Sequence, residues 1–435
     1  MLPNTQPRGI KVWLLGFLIC YVLVALHLGS KCYRDPSSAF FRPEHARLLS
    51  YSSFRKAQAK EFGDKAALQP PVKWENSTSP DICIGVSSVS RHGFSYLKET
   101  LGSVLQGLAD VERRRIYLVV FLAHSEQSLH EDYHQPWLVN MADSLPTYPQ
   151  DAATIGLVQE LEAEDSYDAH ARKQKIDYSV VLSECAKVQP GYVMTLEDDV
   201  IALDGWYHRL MNALEVAVRK TRELGRENFL YLRIFYDDRL LGWNAEEWPT
   251  YVSWSIVAVV VPATVLALLR YRFARLRQVL TWTVVFIVCG ICVPMLIGLF
   301  FASGHSCMMP KSPGVELMPR YGCCAQGLVF PQEQVVDHLI PMYRDTQDTH
   351  AAVDTFLEDW AERRDELRWA VTPVLIQHVG GKSTHGAGDQ ELGRLTDDMP
   401  FDYPFELNDP DQLSQEHGVF ISSMQGVSGI IQQGE

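Results

Sequence analysis

"YVMTLEDDVIAL", Tyr192–Leu203, sets three carboxylates in a row at the end of a short apolar run. Tyr192–Leu196 reads as a buried strand, and Glu197, Asp198 and Asp199 follow at its carboxyl end. Like charges at this spacing raise one another's pKa. The trio therefore calls for solvent or for a cation. Mg²⁺ or Mn²⁺ takes oxygen ligands, commonly one or two carboxylates together with substrate phosphates. The plainer reading is a solvated turn.

The flanking sequence gives that strand a setting. "DICIGVSSVSR" (Asp81–Arg91) is an apolar strand entering a Ser-rich turn, and "RRIYLVVFLAHSE" (Arg114–Glu126) is a second, nearly continuous apolar strand. Between them Leu97, Leu101, Val104 and Leu108 recur at helical spacing. "RKQKIDYSVVLSECAKV" is a helix ending before Pro190-Gly191. The helix after the acidic trio has Asp204 placed to cap its start, and "FLYLRIFY" (Phe229–Tyr236) is a further strand. Later, "HAAVDTFLEDWAERRDEL" reads as a helix and "AVTPVLIQHVGGKS" as a strand entering a Gly-rich turn. Alternating strands and helices predict an α/β fold with a mostly parallel sheet, whose ligands lie at the carboxyl ends of strands. No internal repeat is present.

The 435-residue chain is 47% hydrophobic and carries a net charge of −14, which excludes a nucleic-acid surface built on clustered Lys and Arg. Three runs are long enough to cross a bilayer: Val12–Ser30, Trp248–Leu269 and Val279–Gly304. The loop "RYRFARLRQ" between the last two holds Arg270, Arg272, Arg275 and Arg277 and no acid, and Arg8 and Lys11 precede the first run. Short basic segments stay on the cytosolic side. The expected topology has a cytosolic N-terminus, residues 31–247 on the far side, a membrane hairpin, and residues 305–435 on the far side again. Of nine cysteines, Cys32, Cys83, Cys185, Cys307, Cys323 and Cys324 then lie in an oxidising lumen, where six allow 15 pairings. Asn76-Ser77-Thr78 is a glycosylation sequon on the same side.

"LEDDV" after a short apolar strand resembles the acidic motif of GT-A glycosyltransferases. "ICIGVSSVSR…YLKETLGSVLQGL", "RKQKIDYSVVLSECA", "LEDDV" and "LIQHVGGKS" stand in an order that resembles the N-acetylglucosaminyltransferase IV family. A hairpin inserted after "LRIFYDDRLLGWNAEEWP" is similar to the post-GPI-attachment Golgi transferases that add N-acetylgalactosamine to the mannose core of GPI anchors. That resemblance covers roughly residues 80–385. It implies a GT-A glycosyltransferase fold with an N-terminal transmembrane anchor and a two-helix transmembrane hairpin inserted in the catalytic domain. The implied order is a cytosolic tail (1–11), a signal anchor (12–30), a lumenal stem (31–80) and a first catalytic part (81–247). The hairpin (248–304, basic loop 270–278), a second catalytic part (305–396) and a loosely ordered tail (397–435) complete it. The implied location is the Golgi membrane.

The same resemblance implies Mn²⁺ or Mg²⁺ as cofactor, UDP-GalNAc as donor, GPI-anchored proteins as acceptors and the lipid bilayer as a partner. Asp199, Glu197 and His378 would hold the metal, with Asp198 beside them at the diphosphate. Ser87, Ser88 and Arg91 would contact uridine or phosphate, and Lys173 would oppose the diphosphate charge. Their plainer roles are a polar turn and a helix lysine paired with Asp177. Asp354 is the expected base for the acceptor hydroxyl, ahead of Glu358 and Asp359 on the same helix. Asp237, Asp238, Glu246 and Glu247 crowd the segment before the hairpin. Trp243, Trp248 and Tyr251 read as sugar-stacking or interfacial aromatics. Two other classes remain: an N-glycan N-acetylglucosaminyltransferase, and a non-catalytic membrane adaptor on a degenerate transferase fold. A metal-dependent phosphodiesterase would need clustered His and Asp ligands, which the sequence does not display.

Overall fold

The computed structural model describes residues 6–75, 78–91, 94–164, 166–318, 324–345, 351–381 and 399–432. The strands are β1 (Ile82–Ser88), β2 (Ile116–Leu122), β3 (Tyr192–Glu197), β4 (Val200–Ala202), β5 (Tyr231–Arg233), β6 (Gly314–Leu317), β7 (Gly327–Pro331), β8 (Arg368–Thr372) and β9 (Ile376–His378). The helices used below are α1 (Gln6–Lys31), α2 (Ser50–Leu68), α3 (Leu97–Leu105), α4 (Asp110–Arg113), α5 (Tyr167–Ala186) and α6 (Trp206–Glu223). They continue with α7 (Trp248–Arg272), α8 (Trp282–Ala302), α9 (Val353–Arg364) and α10 (Pro410–Gln432). The chain divides into two compact units, Met1–Ala46 with Asp238–Lys311, and Arg47–Asp237 with Ser312–Glu435.

In the first unit, segments Gly9–Arg34, Asp238–Arg272 and Trp282–Ala302 are long and apolar enough to cross a membrane. The Arg-rich loop closes on itself, because Arg270 donates to the carbonyls of Arg277 (2.8 Å) and Leu280 (2.6 Å). A disulfide joins Cys32 to Cys307, and the Asp35 carboxylate accepts the backbone N–H of Ser37 (2.8 Å) and of Cys307 (2.9 Å). Trp243 donates to the carbonyl of Phe301 at 3.0 Å and packs on Tyr251 and His305, so here it serves packing.

The second unit holds a seven-stranded sheet in the order β2-β1-β3-β7-β5-β8-β6, and a separate pair, β4-β9. The sheet is mixed rather than mostly parallel: β1–β2, β1–β3 and β5–β8 are parallel, whereas β3–β7, β5–β7 and β6–β8 are antiparallel. The strand–helix alternation that predicts parallel pairing stops at β5. "GLVFP" (β7) has no such context and enters between β3 and β5 against both of them.

β1 lies between β2 and β3 and is buried on both faces, with Ile82, Cys83, Ile84 and Val86 fully enclosed. Helix α5 lies directly on it. A Cβ at Gly85 would fall 2.1 Å from Val181 Cγ1, and a Cys83–Cys185 disulfide ties strand to helix. α5 feeds two apolar clusters, one through Leu182 and Cys185 with Phe330, Tyr343 and Leu357, the other through Ile176 and Val181 with Phe121 and Tyr148. Cys324 is also disulfide-bonded, while Cys323, Asn76 and Ser77 lie outside the described residues.

α2, within residues 31–80, packs tightly on α3, because a Cβ at Gly102 of α3 would meet the Ala59 carbonyl oxygen at 2.3 Å. Two local expectations differ. Asp204 does not cap α6, whose N-cap is Gly205 in the left-handed region. The described residues from Met399 onward are packed as well, since Phe401, Phe405 and Leu413 supply buried apolar side chains that a polar composition conceals.

Candidate active site

The turn between β3 and β4 carries the acidic trio. Thr100 on α3 holds it from behind: its hydroxyl donates to the Asp198 carbonyl (2.7 Å) and accepts the Val200 N–H (3.2 Å). β4 pairs antiparallel with β9, which sets His378 opposite Val200, and the Val379 N–H donates to the Asp199 carbonyl at 2.9 Å. Two stretches 180 residues apart thus meet, with His378 Nε2 3.5 Å from Asp199 Oδ2. Gly380 makes this approach possible, because a Cβ there would fall 2.1 Å from Asp199 Oδ2 and 2.9 Å from His378 Nε2.

The three acids have different partners. Asp198 is saturated: Arg91 donates to its two oxygens at 2.7 Å each, and Ser88 Oγ donates to Oδ2. Ser88 is itself fixed by His130. The Asp132 N–H donates to His130 Nδ1 (3.1 Å), so the proton sits on Nε2 and is directed to Ser88 Oγ at 3.0 Å. Asp199 is different. Its Oδ1 is buried and has no hydrogen-bond partner among the described residues. Glu197 lines the same cavity.

The electrostatics follow from these contacts. Burial, with the charges of Asp199 and Asp198, pushes Glu197 up to about 8. Burial also works against the Asp199 carboxylate, but the charge and hydrogen bond of His378, with Arg91 beyond, hold its pKa below the ordinary value. Burial would lower His378, and Asp199 and Glu197 more than offset it, so its pKa is raised.

These groups border a cavity of about 550 Å³, within the usual range for small-molecule sites. Ser87, Arg91, Lys173, Glu197, Asp198, Asp199 and His378 all line it. Ser88 stands just behind, 1% exposed, acting through Asp198. Two of the cations are already engaged: Arg91 by Asp198, and Lys173 by the Ala123 carbonyl (2.6 Å) and Asp177 (3.2 Å). Asp354 sits in the first turn of α9, half-buried, with Oδ1 accepting the Thr355 N–H at 2.7 Å. It does not line the cavity, although Ala352 two residues earlier does. Glu358 is committed to structure, bridging Arg233 (2.6 Å) and Arg368 (2.8 Å). Glu246 and Glu247 are exposed, and neither they nor Asp237 lines the cavity.

Sequence reasoning missed His130 and Gln326. Gln326 lines the cavity, with its buried Oε1 unpartnered among the described residues. His130 lies in "HSEQSLHEDYH", directly after β2. The rule that ligands gather at strand ends would have found it.

The chain's sequence matches the family described as GPI-N-acetylgalactosamine transferase PGAP4 over residues 82–377. The chain belongs to this family. Curated relatives include the alpha-1,3-mannosyl-glycoprotein 4-beta-N-acetylglucosaminyltransferases. The B form of Danio rerio is 26% identical over 166 residues, covering 34% of this chain and 29% of the relative. The A form of Bos taurus is 26% identical over 167 residues, covering 34% and 30%. The C form of Sus scrofa is 29% identical over 136 residues, covering 27% of each. The matched stretch thus spans less than a third of these relatives' length. The three apolar helices of this family member fit a membrane protein.

Proposed function

We propose that the chain is a Golgi membrane enzyme of GT-A type that transfers N-acetylgalactosamine from UDP to the mannose core of GPI anchors. The observation that carries this reading is Asp199: a buried carboxylate oxygen with no partner among the described residues, on the wall of a cavity, in a member of this family. The donor set fits a divalent cation held by Asp199 and Glu197, with His378 beside them. Such an ion supplies positive charge to the departing diphosphate.

The other residues take roles that their contacts allow. Arg91, Ser88 and His130 clamp Asp198 and so fix the turn from which Asp199 projects. Lys173 and Asp177 hold the wall formed by α5. Asp354, near enough to Glu197 and Tyr178 to influence both electrostatically, is the base that takes the proton of the acceptor hydroxyl. Two disulfides support a lumenal placement, since such bonds persist in oxidising compartments. Cys32 and Cys307 flank the first and last apolar helices, so an even number of crossings separates them, in keeping with a hairpin and a cytosolic basic loop.

Relatives that act on N-glycans favour a second reading, transfer of N-acetylglucosamine to a mannosyl glycoprotein. The pair of apolar helices between Asp237 and Ser312 weighs for a membrane-bound acceptor instead. The test offers UDP-GalNAc and UDP-GlcNAc to the purified full chain, with a GPI-mannose glycolipid and with an N-glycan, with Mn²⁺ or with chelator. Product is expected only from UDP-GalNAc, the glycolipid and Mn²⁺. Equal or faster transfer from UDP-GlcNAc to the N-glycan overturns the proposal.

A further inference from the structure

Away from the cavity, three separate elements bring Glu112, His208 and His417 together. Glu112 lies on α4, His208 in the first turn of α6, and His417 on α10. All three are at least nine-tenths buried, with relative exposures of 0%, 8% and 6%. One ligand atom from each lies within 4.8 Å of the other two. None lines the cavity described above.

Both nitrogens of His417 face carboxylates. Nε2 is 3.0 Å from Glu112 Oε2 and 3.2 Å from Oε1, while Nδ1 is 3.7 Å from Asp204 Oδ1. A carboxylate against one imidazole nitrogen sets the tautomer and turns the other nitrogen toward a metal. His208 stacks on His417 with centroids 5.3 Å apart and on Phe420 at 4.6 Å. Its Nδ1 is buried with no hydrogen-bond partner among the described residues, an unfavourable state if left so. Gly205, at φ 69°, opens the space: a Cβ there would fall 2.6 Å from His208 Cε1.

We propose that Glu112, His208 and His417 bind one Zn²⁺, with Asp204 orienting His417, and that this ion fastens the C-terminal helix α10 to α4 and α6. Two imidazoles and one carboxylate are a zinc set, whereas Mg²⁺ and Mn²⁺ select oxygen. Glu112 and Asp204 balance the charge of the ion when both histidines are neutral. Bonds of roughly 2.0–2.1 Å in a tetrahedron require ligand atoms about 3.3 Å apart, so the side chains close by small tilts. A second cavity of about 220 Å³, bordered by His417, Asp204 and Arg55, admits water for the fourth position.

The full chain in detergent is stripped with chelator, dialysed against equimolar Zn²⁺ and Mn²⁺, and its metal content measured. One zinc per chain is expected in the wild type and in Asp199→Asn, and less than a tenth of that in His208→Gln. Co²⁺ loaded in place of zinc should give a tetrahedral absorption band that His208→Gln lacks. A folded wild type that retains no zinc and shows no cobalt band overturns the proposal, whatever the variant does. So does a His208→Gln or Glu112→Gln chain that retains zinc like the wild type. Because Asp199→Asn is read separately, failure here is distinct from failure of the transferase reading.

Discussion

Among the buried carboxylate–histidine pairs of the second unit, two differ in their surroundings. Asp199 faces His378 at 3.5 Å, and Glu112 faces His417 at 3.0 Å. A glycine makes room at each: a Cβ at Gly380 would fall 2.1 Å from Asp199 Oδ2 of the first pair, and one at Gly205 would fall 2.6 Å from Cε1 of His208, which stacks on the second. The surroundings differ. Asp199 has two acidic neighbours in sequence, borders a cavity, and keeps one oxygen unpartnered among the described residues. Glu112 has both oxygens engaged, by His417 and by the Ala109 N–H at 2.9 Å, and its neighbours are imidazoles rather than acids. An oxygen-rich, open cluster suits a ligand that comes and goes. A nitrogen-rich one that ties three helices together suits a fastening. Burial of charge alone therefore does not mark a reaction site; a surplus of one sign beside open space does.

The sharpest way to break this contrast is to neutralise one acid. Asp199→Asn should lower the transfer rate by about 10²–10³-fold, the scale for losing one preorganised electrostatic group, and leave the melting temperature nearly unchanged. His208→Gln should do the reverse, lowering the melting temperature while activity per folded molecule stays within about threefold. Comparable rate losses in both would abolish the distinction. The glycines offer a finer test. Gly380→Ala and Gly205→Ala each overpack a cluster and should cost about 1–3 kcal/mol in denaturant unfolding. Only Gly380→Ala should also slow transfer.

The smallest effect concerns acid. His124, at the end of β2 beside the first cluster, accepts the Ser90 N–H at 2.8 Å through Nε2 and must be neutral to do so. Burial, with the charge of Lys173, lowers it to about 4 from 6.5. As pH falls from 6.5 to 4 the unfolded chain takes up a proton that the folded chain refuses, so stability declines. His124→Asn should flatten melting temperature against pH across that window and change nothing above it. An unaltered acid limb would assign the loss to other groups.

Much of the first cluster was legible because it is local. A strand followed by three acids is readable in eight letters, and "IQHVGG" marks a strand end with room for close approach. What could not be read is which acid is free. That depends on Arg91 saturating Asp198 from 107 residues away, and on His130 aligning Ser88. The second cluster was invisible for the same reason, since Glu112 and His417 are 305 residues apart and each looks like an ordinary helix residue. Strand direction also escaped. β7 has the composition of any buried strand, and nothing within "GLVFP" records that it runs against both neighbours.

The Cys83–Cys185 bond has a consequence for any measurement on this protein. Helix α5 brings Lys173, Gln174, Asp177 and Tyr178 to the pocket from its first three turns and is stitched to β1 near its last. A reductant strong enough to open this fully enclosed bond would unpick that seam without touching a single pocket residue, and the wall could then slide along the strand. Donor binding measured in such a buffer would report a loosened vessel, not a weaker grip.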